Sequence, residues 1–284
     1  MMDEDIGFQD VYFKTCKVCG GTGFHVKDLN SAAPCTCWRM DALLSRIKKA
    51  GIPPEYFESS LDKLEKSVSG TMVNNERDEI EDFNVHTYLR RFTISLHKHR
   101  APGYEESGKG VLFYGNTGVG KTMVATIILK HAVWYSVVTR GKYPDYTGHF
   151  VTFKEYCDLH FRDKDPEVQE FLSEVRSADF LVLDEVGAEP KKRDATKPAD
   201  FYRSILDDLL RYRSKFMLPT IVTTNLSRSE LQSQYNSGNK QVNRVWDIIE
   251  GHYDIIHLKR EGGSIRKVQQ HKRTKKVIKE NPSG

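Results

Sequence analysis

The sequence has no apolar run long enough to cross a membrane, no internal repeat, and only five cysteines in 284 residues. Because a membrane-spanning helix needs about 20 consecutive apolar residues, we expect no membrane anchor. The first residues are acidic and no apolar segment of a signal peptide follows them, so we expect a cytoplasmic protein with reduced cysteines. The formal net charge of +4 is too small to indicate nucleic-acid binding by itself.

In the stretch over 109–122, a hydrophobic strand leads directly into a phosphate-binding loop. The pattern Gly-x-x-x-x-Gly-Lys-Thr ends at Thr122 and leads into an apolar helix predicted over 123–134. Glycines let backbone N–H groups approach phosphate oxygens, Lys121 reaches the β- and γ-phosphates, and Thr122 offers a hydroxyl to Mg²⁺. The residues predicted to bind nucleotide are Gly115, Asn116, Thr117, Gly118, Val119, Gly120, Lys121, Thr122 and Met123.

Two acidic residues end a second apolar run, over 180–186. This run has the composition of a buried parallel strand, and Asp184 and Glu185 lie at its carboxyl end. We expect Asp184 to hold Mg²⁺ through water and Glu185 to orient and deprotonate the attacking water. The pair favours ATP hydrolysis over phosphoryl transfer to a metabolite. The alternative is that the two acids merely cap a strand.

A third strand is predicted in the segment over 219–225, which ends in Asn225. If its strand lies beside the first two, the Asn225 amide reaches the γ-phosphate and the attacking water. Asparagine after a strand is also an ordinary turn or cap residue, and Ser227 or Ser229 could equally cap a helix that we predict to begin near Glu230.

The amino-terminal region contains two close cysteine pairs. Cys16 and Cys19 precede a glycine-rich turn, and Cys35 and Cys37 follow after a short polar segment. Four thiolates at this spacing suit a tetrahedral Zn²⁺, so we predict a zinc site. Disulfides are the alternative. His25 is a possible substitute ligand, and Cys157 is expected to be a buried thiol in a helix.

Taken in order, these motifs resemble the DnaC/DnaI type of replicative helicase loader, particularly its phage-encoded forms. The resemblance also includes Gly51-Ile-Pro-Pro-Glu-Tyr56 and Gly262-Gly-Ser-Ile-Arg266, and it covers most of the chain. It implies an AAA+ ATPase that binds a hexameric DnaB-type replicative helicase, helps to open its ring and places it on single-stranded DNA. For a phage-encoded form, the location would be the host cytoplasm.

The resemblance assigns roles to individual residues. Lys121, Asp184 and Glu185 would be catalytic, and Asn225 would be the first sensor of the nucleotide. Two arginines extend this set. Arg244 would be an arginine finger that acts in a neighbouring subunit, which implies self-association through the ATPase domain, and Arg266 would be a second sensor. Asn243 and Arg260 are the alternative positions for these two roles.

The expected fold is α/β, an AAA+ phosphate-loop ATPase with a doubly wound parallel sheet and a small zinc-binding domain before it. Core strands are predicted near 111–114, 149–153, 180–184, 219–223 and 254–258. We divide the chain into a zinc-binding, helicase-interacting domain over 1–50 that ends in a helix over 39–50, a linker over 51–77, an ATPase domain over 78–262 that begins with a helix over 78–100, and a basic tail over 263–284.

The carboxyl-terminal segment is strongly basic. Lysine and arginine recur here at 259, 260, 266, 267, 272, 273, 275, 276 and 279. Such a segment neutralises nucleic-acid phosphates without sequence preference, but a solvated tail has the same composition.

Two other functions share these features. An IstB-type transposition ATPase, which delivers a transposase to DNA, has the same fold and ATP site but typically begins with a helical region in place of the cysteine pairs. An adaptor that uses ATP as a structural clamp, with little hydrolysis, would not need the Asp184 and Glu185 pair.

Overall fold

A computed structural model gives the fold of this protein. The structure describes residues 18–19, 24–28, 31–60, 64, 68–74, 79–97, 108–138, 146–162, 164–188, 199–235 and 244–260. The amino-terminal residues 1–17 and the basic tail therefore lie outside the described residues.

Nine strands and eight α-helices are defined in the described residues. The strands are β1 (Phe24–Asp28), β2 (Ser31–Pro34), β3 (Val68–Asn74), β4 (Glu79–Phe83), β5 (Gly110–Tyr114), β6 (Gly148–Thr152), β7 (Phe180–Asp184), β8 (Thr220–Thr224) and β9 (Tyr253–Arg260). The helices are α1 (Thr36–Lys49), α2 (Val85–His97), α3 (Lys121–Val138), α4 (Phe153–Leu159), α5 (Pro166–Ser177), α6 (Ala199–Lys215), α7 (Arg228–Tyr235) and α8 (Arg244–His252). Two short 3₁₀ helices cover Pro54–Tyr56 and His160–Arg162.

Seven strands form one sheet in the order β4-β3-β9-β5-β8-β7-β6. The strands from β9 to β6 are parallel, and β3 and β4 add an antiparallel edge. The predicted parallel sheet is therefore confirmed, and each of its five strands lies within two residues of the predicted bounds. The antiparallel edge was not predicted.

Apolar residues cover both faces of the sheet. In β5, Val111 and Phe113 belong to one buried cluster, while Leu112 belongs to the other. This alternation follows from the two-residue period of a strand. The first cluster includes side chains of α1, α2 and α3, and the second includes side chains of α4, α5, α6 and α8. Buried strands with helices on both faces are the expected packing of an α/β domain.

The segment before the phosphate loop differs from the prediction. The helix expected from residue 78 begins instead at Val85, where the Asn84 side chain accepts a hydrogen bond from the Thr87 N–H at 3.1 Å. Residues 79–83 form β4, and the segment expected to be a linker contains β3, which pairs with β9. The predicted helix is too long at its amino end, because the helical spacing of apolar residues extends to residues before Asn84. The Asn84 side chain caps the helix and so sets its true start.

The contacts of the first helix continue across residue 50, where we placed a domain boundary. Ile47 and Ala50, at the end of α1, belong to the same apolar cluster as the buried face of α3. The Ala50 carbonyl accepts a hydrogen bond of 2.7 Å from the Phe150 N–H of the edge strand β6. The helix that we assigned to the zinc-binding domain therefore packs against α3 and lies beside β6.

Arg213, near the end of α6, is fully buried and is held entirely by neutral acceptors among the described residues. Its guanidinium donates to the Thr220 hydroxyl at 2.7 Å and to the Pro219 and Ala178 carbonyls at 2.9 Å each. Burial lowers the pKa of Arg213 to about 10, so the side chain stays protonated at neutral pH. The contacts fix the starts of β7 and β8, whose opposite ends carry the predicted site residues.

Replacing Arg213 with methionine is expected to lower the free energy of unfolding by about 2–4 kcal/mol, because several buried carbonyls would lose their donor. Urea denaturation would measure the change. Arg211→Met is the matched control, because Arg211 makes an exposed pair with Asp207 at 2.7 Å. A surface pair contributes about 0–1 kcal/mol. Equal effects of the two substitutions would contradict the structural role of Arg213.

None of the described helices is both long and apolar enough to span a membrane.

Candidate functional site

The site lies at the carboxyl ends of three adjacent strands. In the sheet, β8 pairs with β5 on one side and with β7 on the other, all in parallel. The polar residues that follow these strands therefore meet at one edge, as expected for ligand sites in parallel sheets. The phosphate loop leaves β5, Asp184 ends β7, and Asn225 follows β8.

The loop between β5 and α3 requires glycine at its first position. Gly115 has a φ of 142°, and a Cβ placed there would lie 2.4 Å from the Leu258 carbonyl oxygen of β9. Gly118 and Gly120 also have positive φ values, of 84° and 104°. The chain then enters α3 directly at Lys121, so the loop and the amino terminus of this helix form one phosphate-binding element.

The Lys121 ammonium connects two of the predicted elements. Its Nζ donates to the Gly115 carbonyl at 2.8 Å, to the Asn116 carbonyl at 2.9 Å and to Asn225 Oδ1 at 2.7 Å. Only 6% of the residue is exposed. The structure thus brings together the lysine of the loop and the asparagine of the third strand.

Thr122 and Asp184 form a second contact between elements. The Thr122 hydroxyl lies 3.1 Å and 3.2 Å from the two carboxylate oxygens of Asp184. Burial raises the pKa of Asp184, and hydrogen bonds from Thr223 and Thr122 oppose this shift. A hydroxyl and a buried carboxylate are the hard oxygen ligands that Mg²⁺ takes, so this pair fits the predicted magnesium site.

Glu185 has an unusual backbone conformation. Its φ is 58°, in the left-handed region that non-glycine residues seldom adopt. Its N–H donates to the Thr223 hydroxyl at 3.0 Å, and its exposed side chain lines the same cavity as Lys121 and Asn225. The predicted catalytic acid is therefore at the site.

The family model of AAA, the ATPase family associated with various cellular activities, matches residues 111–244. This part of the chain, which contains the phosphate loop and the residues that end β7 and follow β8, is therefore similar to AAA domains.

The chain is also similar in fold to solved structures. The crystal structure of the DnaC helicase loader is similar at 24% identity with a TM-score of 0.50, covering 73% of this chain and 100% of that chain. The crystal structure of DnaI is similar at 21% identity with a TM-score of 0.52, covering 73% of this chain and 94% of that chain. The resemblance to the DnaC/DnaI type is thus confirmed in the fold. No curated protein matches the sequence.

A cavity of about 400 Å³ extends from the phosphate loop. The predicted residues Thr117, Gly118, Gly120 and Met123 line it, together with Thr223. Val119 instead packs in the apolar core, so its backbone alone is available to a ligand.

One wall of this cavity was missed by sequence reasoning. Glu55, Tyr56, Glu58 and Ser59, around the first 3₁₀ helix, line the cavity. Lys130 of α3 fixes this wall, because its Nζ donates to the Tyr56 and Phe57 carbonyls at 3.0 Å each and also to the Ser59 carbonyl. The family resemblance includes the segment over 51–56, but its polar composition is that of a linker and gives no sign of a cavity wall.

Neither of the two predicted arginines has a described side chain. Arg244 begins α8, and Arg266 and the alternative Asn243 lie outside the described residues altogether. Arg260, the other alternative, ends β9.

The cysteine pairs are partly described. β1 and β2 form an antiparallel hairpin in which Phe24 lies opposite Pro34. The chain therefore enters and leaves the hairpin at the same end, where Cys19 precedes it and Cys35 follows it. Both of these cysteines are buried.

The other two cysteines fall outside what the structure describes, Cys16 entirely and Cys37 in its side chain. Among the described residues no group of three metal-ligating side chains occurs, so the zinc site stays a prediction.

Replacing Lys130 with methionine is expected to raise the Kd for ATP by about tenfold with little effect on kcat, because the wall over 55–59 would lose its ionic donor. A hydrogen bond to a charged group contributes about 1.5–3 kcal/mol, and about 1.4 kcal/mol corresponds to a tenfold change in Kd. Titration with a fluorescent ATP analogue would measure it. Lys154→Met is the control, since Lys154 pairs with Asp158 on the exposed surface. An unchanged Kd for Lys130→Met would contradict the role of this contact.

Proposed function

We propose that this protein is an ATPase that binds a hexameric, DnaB-type replicative helicase and places it on single-stranded DNA. The observation that carries the ATPase part is the meeting of Lys121 with Asn225 and of Thr122 with Asp184 at one edge of the sheet. The loader part is supported by the order of motifs along the chain and by the similarity of fold to the DnaC helicase loader.

In the proposed reaction, the Lys121 ammonium changes its hydrogen-bond acceptors when ATP binds. It leaves the loop carbonyls and donates to oxygens of the γ-phosphate. Thr122 and Asp184 would hold Mg²⁺, which would supply positive charge to the triphosphate. The N–H groups of the glycine loop and the amino terminus of α3 bind the remaining phosphate charge. Lys121, the loop and α3 thereby neutralise the charge that develops as the phosphate bond breaks.

Glu185 acts as the general base. Its carboxylate accepts a proton from water as the water oxygen bonds to the γ-phosphorus and the bond to the β-γ bridging oxygen breaks, giving ADP and phosphate. Asn225 orients the water or the γ-phosphate through its amide. Because Asn225 also contacts Lys121, release of the lysine by ATP frees the asparagine at the same time.

The two arginines complete the proposal. Arg244, at the start of α8, acts as an arginine finger in the ATP site of a neighbouring copy, so that self-association and hydrolysis depend on each other. Arg266 is the second sensor in the basic segment after β9. The same segment, together with the exposed Lys259 near the end of β9, contacts the phosphates of single-stranded DNA.

The cysteine pairs form a zinc-stabilised surface that binds the helicase. A short segment cannot bury enough apolar surface to fold without a stabilising ligand. The β1–β2 hairpin supports this proposal. It brings the two chain segments that flank it, which carry the cysteine pairs, to the same end of the hairpin.

Two other classes of protein would use the same ATP site. An IstB-type transposition ATPase would deliver a transposase, and an ATP-clamped adaptor would show little hydrolysis. The cysteine pairs favour the loader over the first, and the acids at the end of β7 favour hydrolysis over the second.

Glu185→Gln is expected to lower kcat for ATP by about 10²–10⁴-fold while ATP still binds, because the amide cannot accept the proton from water. Phosphate release, measured with single-stranded DNA and the helicase present, would test this. Glu170→Gln on the exposed face of α5 is the control and should leave kcat unchanged. Turnover of Glu185→Gln at the level of the unsubstituted protein would show that Glu185 is not the base.

The loader proposal predicts that the tagged protein, with ATP, recovers a replicative helicase from its native or host lysate. The double substitution of Cys16 and Cys19 by serine should lose both the helicase and the bound zinc, measured by mass spectrometry and elemental analysis. Cys157→Ala is the control, because Cys157 is buried in α4 and belongs to neither cysteine pair. Recovery of a transposase, or of no helicase, would favour the other functions, and unchanged zinc content would exclude these cysteines as ligands.

A further inference from the structure

Thr223 is a buried residue of β8 that the sequence pattern does not single out. Only 1% of it is exposed, yet it forms part of the lining of the nucleotide cavity. It lies two residues before Asn225 on the strand that separates β5 from β7. Thr223 is therefore placed between the phosphate loop and the segment that carries the two acids.

Three hydrogen bonds join Thr223 to that acidic segment. Its hydroxyl donates to Asp184 Oδ1 and accepts from the Glu185 N–H at 3.0 Å. Its carbonyl accepts from the Val186 N–H at 2.9 Å. Because a hydroxyl has a single proton, donation to the Asp184 carboxylate leaves its lone pairs to receive the Glu185 N–H. One side chain thus contacts both acids.

The backbone at Glu185 needs such support. A left-handed φ of 58° is unfavourable for a residue with a Cβ, and residues in such conformations persist where surrounding contacts hold them. The Glu185 N–H and the Val186 N–H both donate to Thr223, on either side of the Glu185 Cα. Within the turn itself, the Glu185 carbonyl accepts from the Ala188 N–H at 3.2 Å. The turn after β7 is therefore held from β8 as well as by its own backbone.

We propose that Thr223 is a positioning residue for ATP hydrolysis, which orients the Asp184 carboxylate toward Mg²⁺ and holds the backbone of Glu185 so that its side chain faces the attacking water. This inference rests on the proposed ATPase function. The hydroxyl acts through the two acids and does not itself contact the nucleotide.

The position of Thr223 also connects the acids to Asn225. Asn225 follows on the same strand and contacts Lys121, so one rigid segment of β8 sets the position of the acids and of the asparagine relative to the phosphate loop. A change in the hydroxyl of Thr223 should therefore affect the chemical step and Mg²⁺ binding more than the binding of ATP, which depends on the loop.

The test compares Thr223→Val, which removes the hydroxyl at similar size, with Thr223→Ser, which retains it. For valine we expect kcat to fall by about 10- to 100-fold and the Mg²⁺ concentration at half-saturation to rise by about tenfold, as is typical for partners of metal ligands. The Kd of a fluorescent ATP analogue in EDTA should change by less than about twofold, because glycine-loop contacts do not involve Thr223. Serine should restore all values to near those of the unsubstituted protein.

Thr220→Val is the matched control. Thr220 is equally buried on β8, but its hydroxyl accepts from Arg213 at the opposite end of the strand. This variant should lower the unfolding temperature without changing kcat or the Mg²⁺ requirement below that temperature. If Thr223→Val does not fold, Thr223→Ala removes the same hydroxyl without adding a methyl group to the site and is expected to show the same loss.

The outcomes separate this inference from the proposed function. Unchanged kcat and Mg²⁺ requirement in the valine or alanine variant, beside an inactive Glu185→Gln protein, would overturn the role of Thr223 alone. A serine variant as impaired as valine would do the same, since the hydroxyl would not be the active feature. An unsubstituted protein without turnover would overturn the ATPase proposal. In that case, unchanged Mg²⁺-dependent binding of the ATP analogue in the valine variant would also overturn the positioning of Asp184.

Discussion

The parallel pairing of β5, β8 and β7 is the constraint on which the site depends. Parallel strands place their carboxyl ends at one edge, so residues distant in sequence meet there. Lys121 contacts Asn225 at 2.7 Å and Thr122 contacts Asp184 at 3.1 Å for this reason. The central position of β8 lets it touch both neighbouring elements, which is why its polar residues join the loop to the acids.

Apolar packing on both faces of the sheet holds in place the strands whose carboxyl ends form this edge. The apolar clusters on either side of the sheet hold the strands in register, and the buried Arg213 ties the starts of β7 and β8 to the end of α5. The carboxyl ends are thereby left to polar groups, with Asp184 and Thr223 almost fully buried and hydrogen-bonded to each other. Buried polar networks of this kind fix side-chain geometry when every member has a partner.

Much of the core could be predicted because its signals are local. The five parallel strands are short apolar runs, and the glycine spacing of the phosphate loop identifies its ligand from a single continuous segment. The errors lie where local signals compete. The apolar residues of the segment over 78–100 fit a helical period, but its first part pairs as β4, and Asn84 caps the helix that follows. The polar segment over 51–59 gives no signal of burial, yet Lys130 holds its backbone against the nucleotide cavity.

The sequence by itself determined which residues have the chemistry to bind a triphosphate, because residue types and spacing within one continuous loop suffice for that. It also determined that polar residues end the strands, since each lies next to its own apolar run. Only the tertiary structure decided that Lys121 contacts Asn225, that Thr223 contacts both Asp184 and Glu185, and that Glu185 has a left-handed backbone. These facts depend on the order and register of non-consecutive strands, which are set by the packing of the whole sheet and leave no local pattern in the chain.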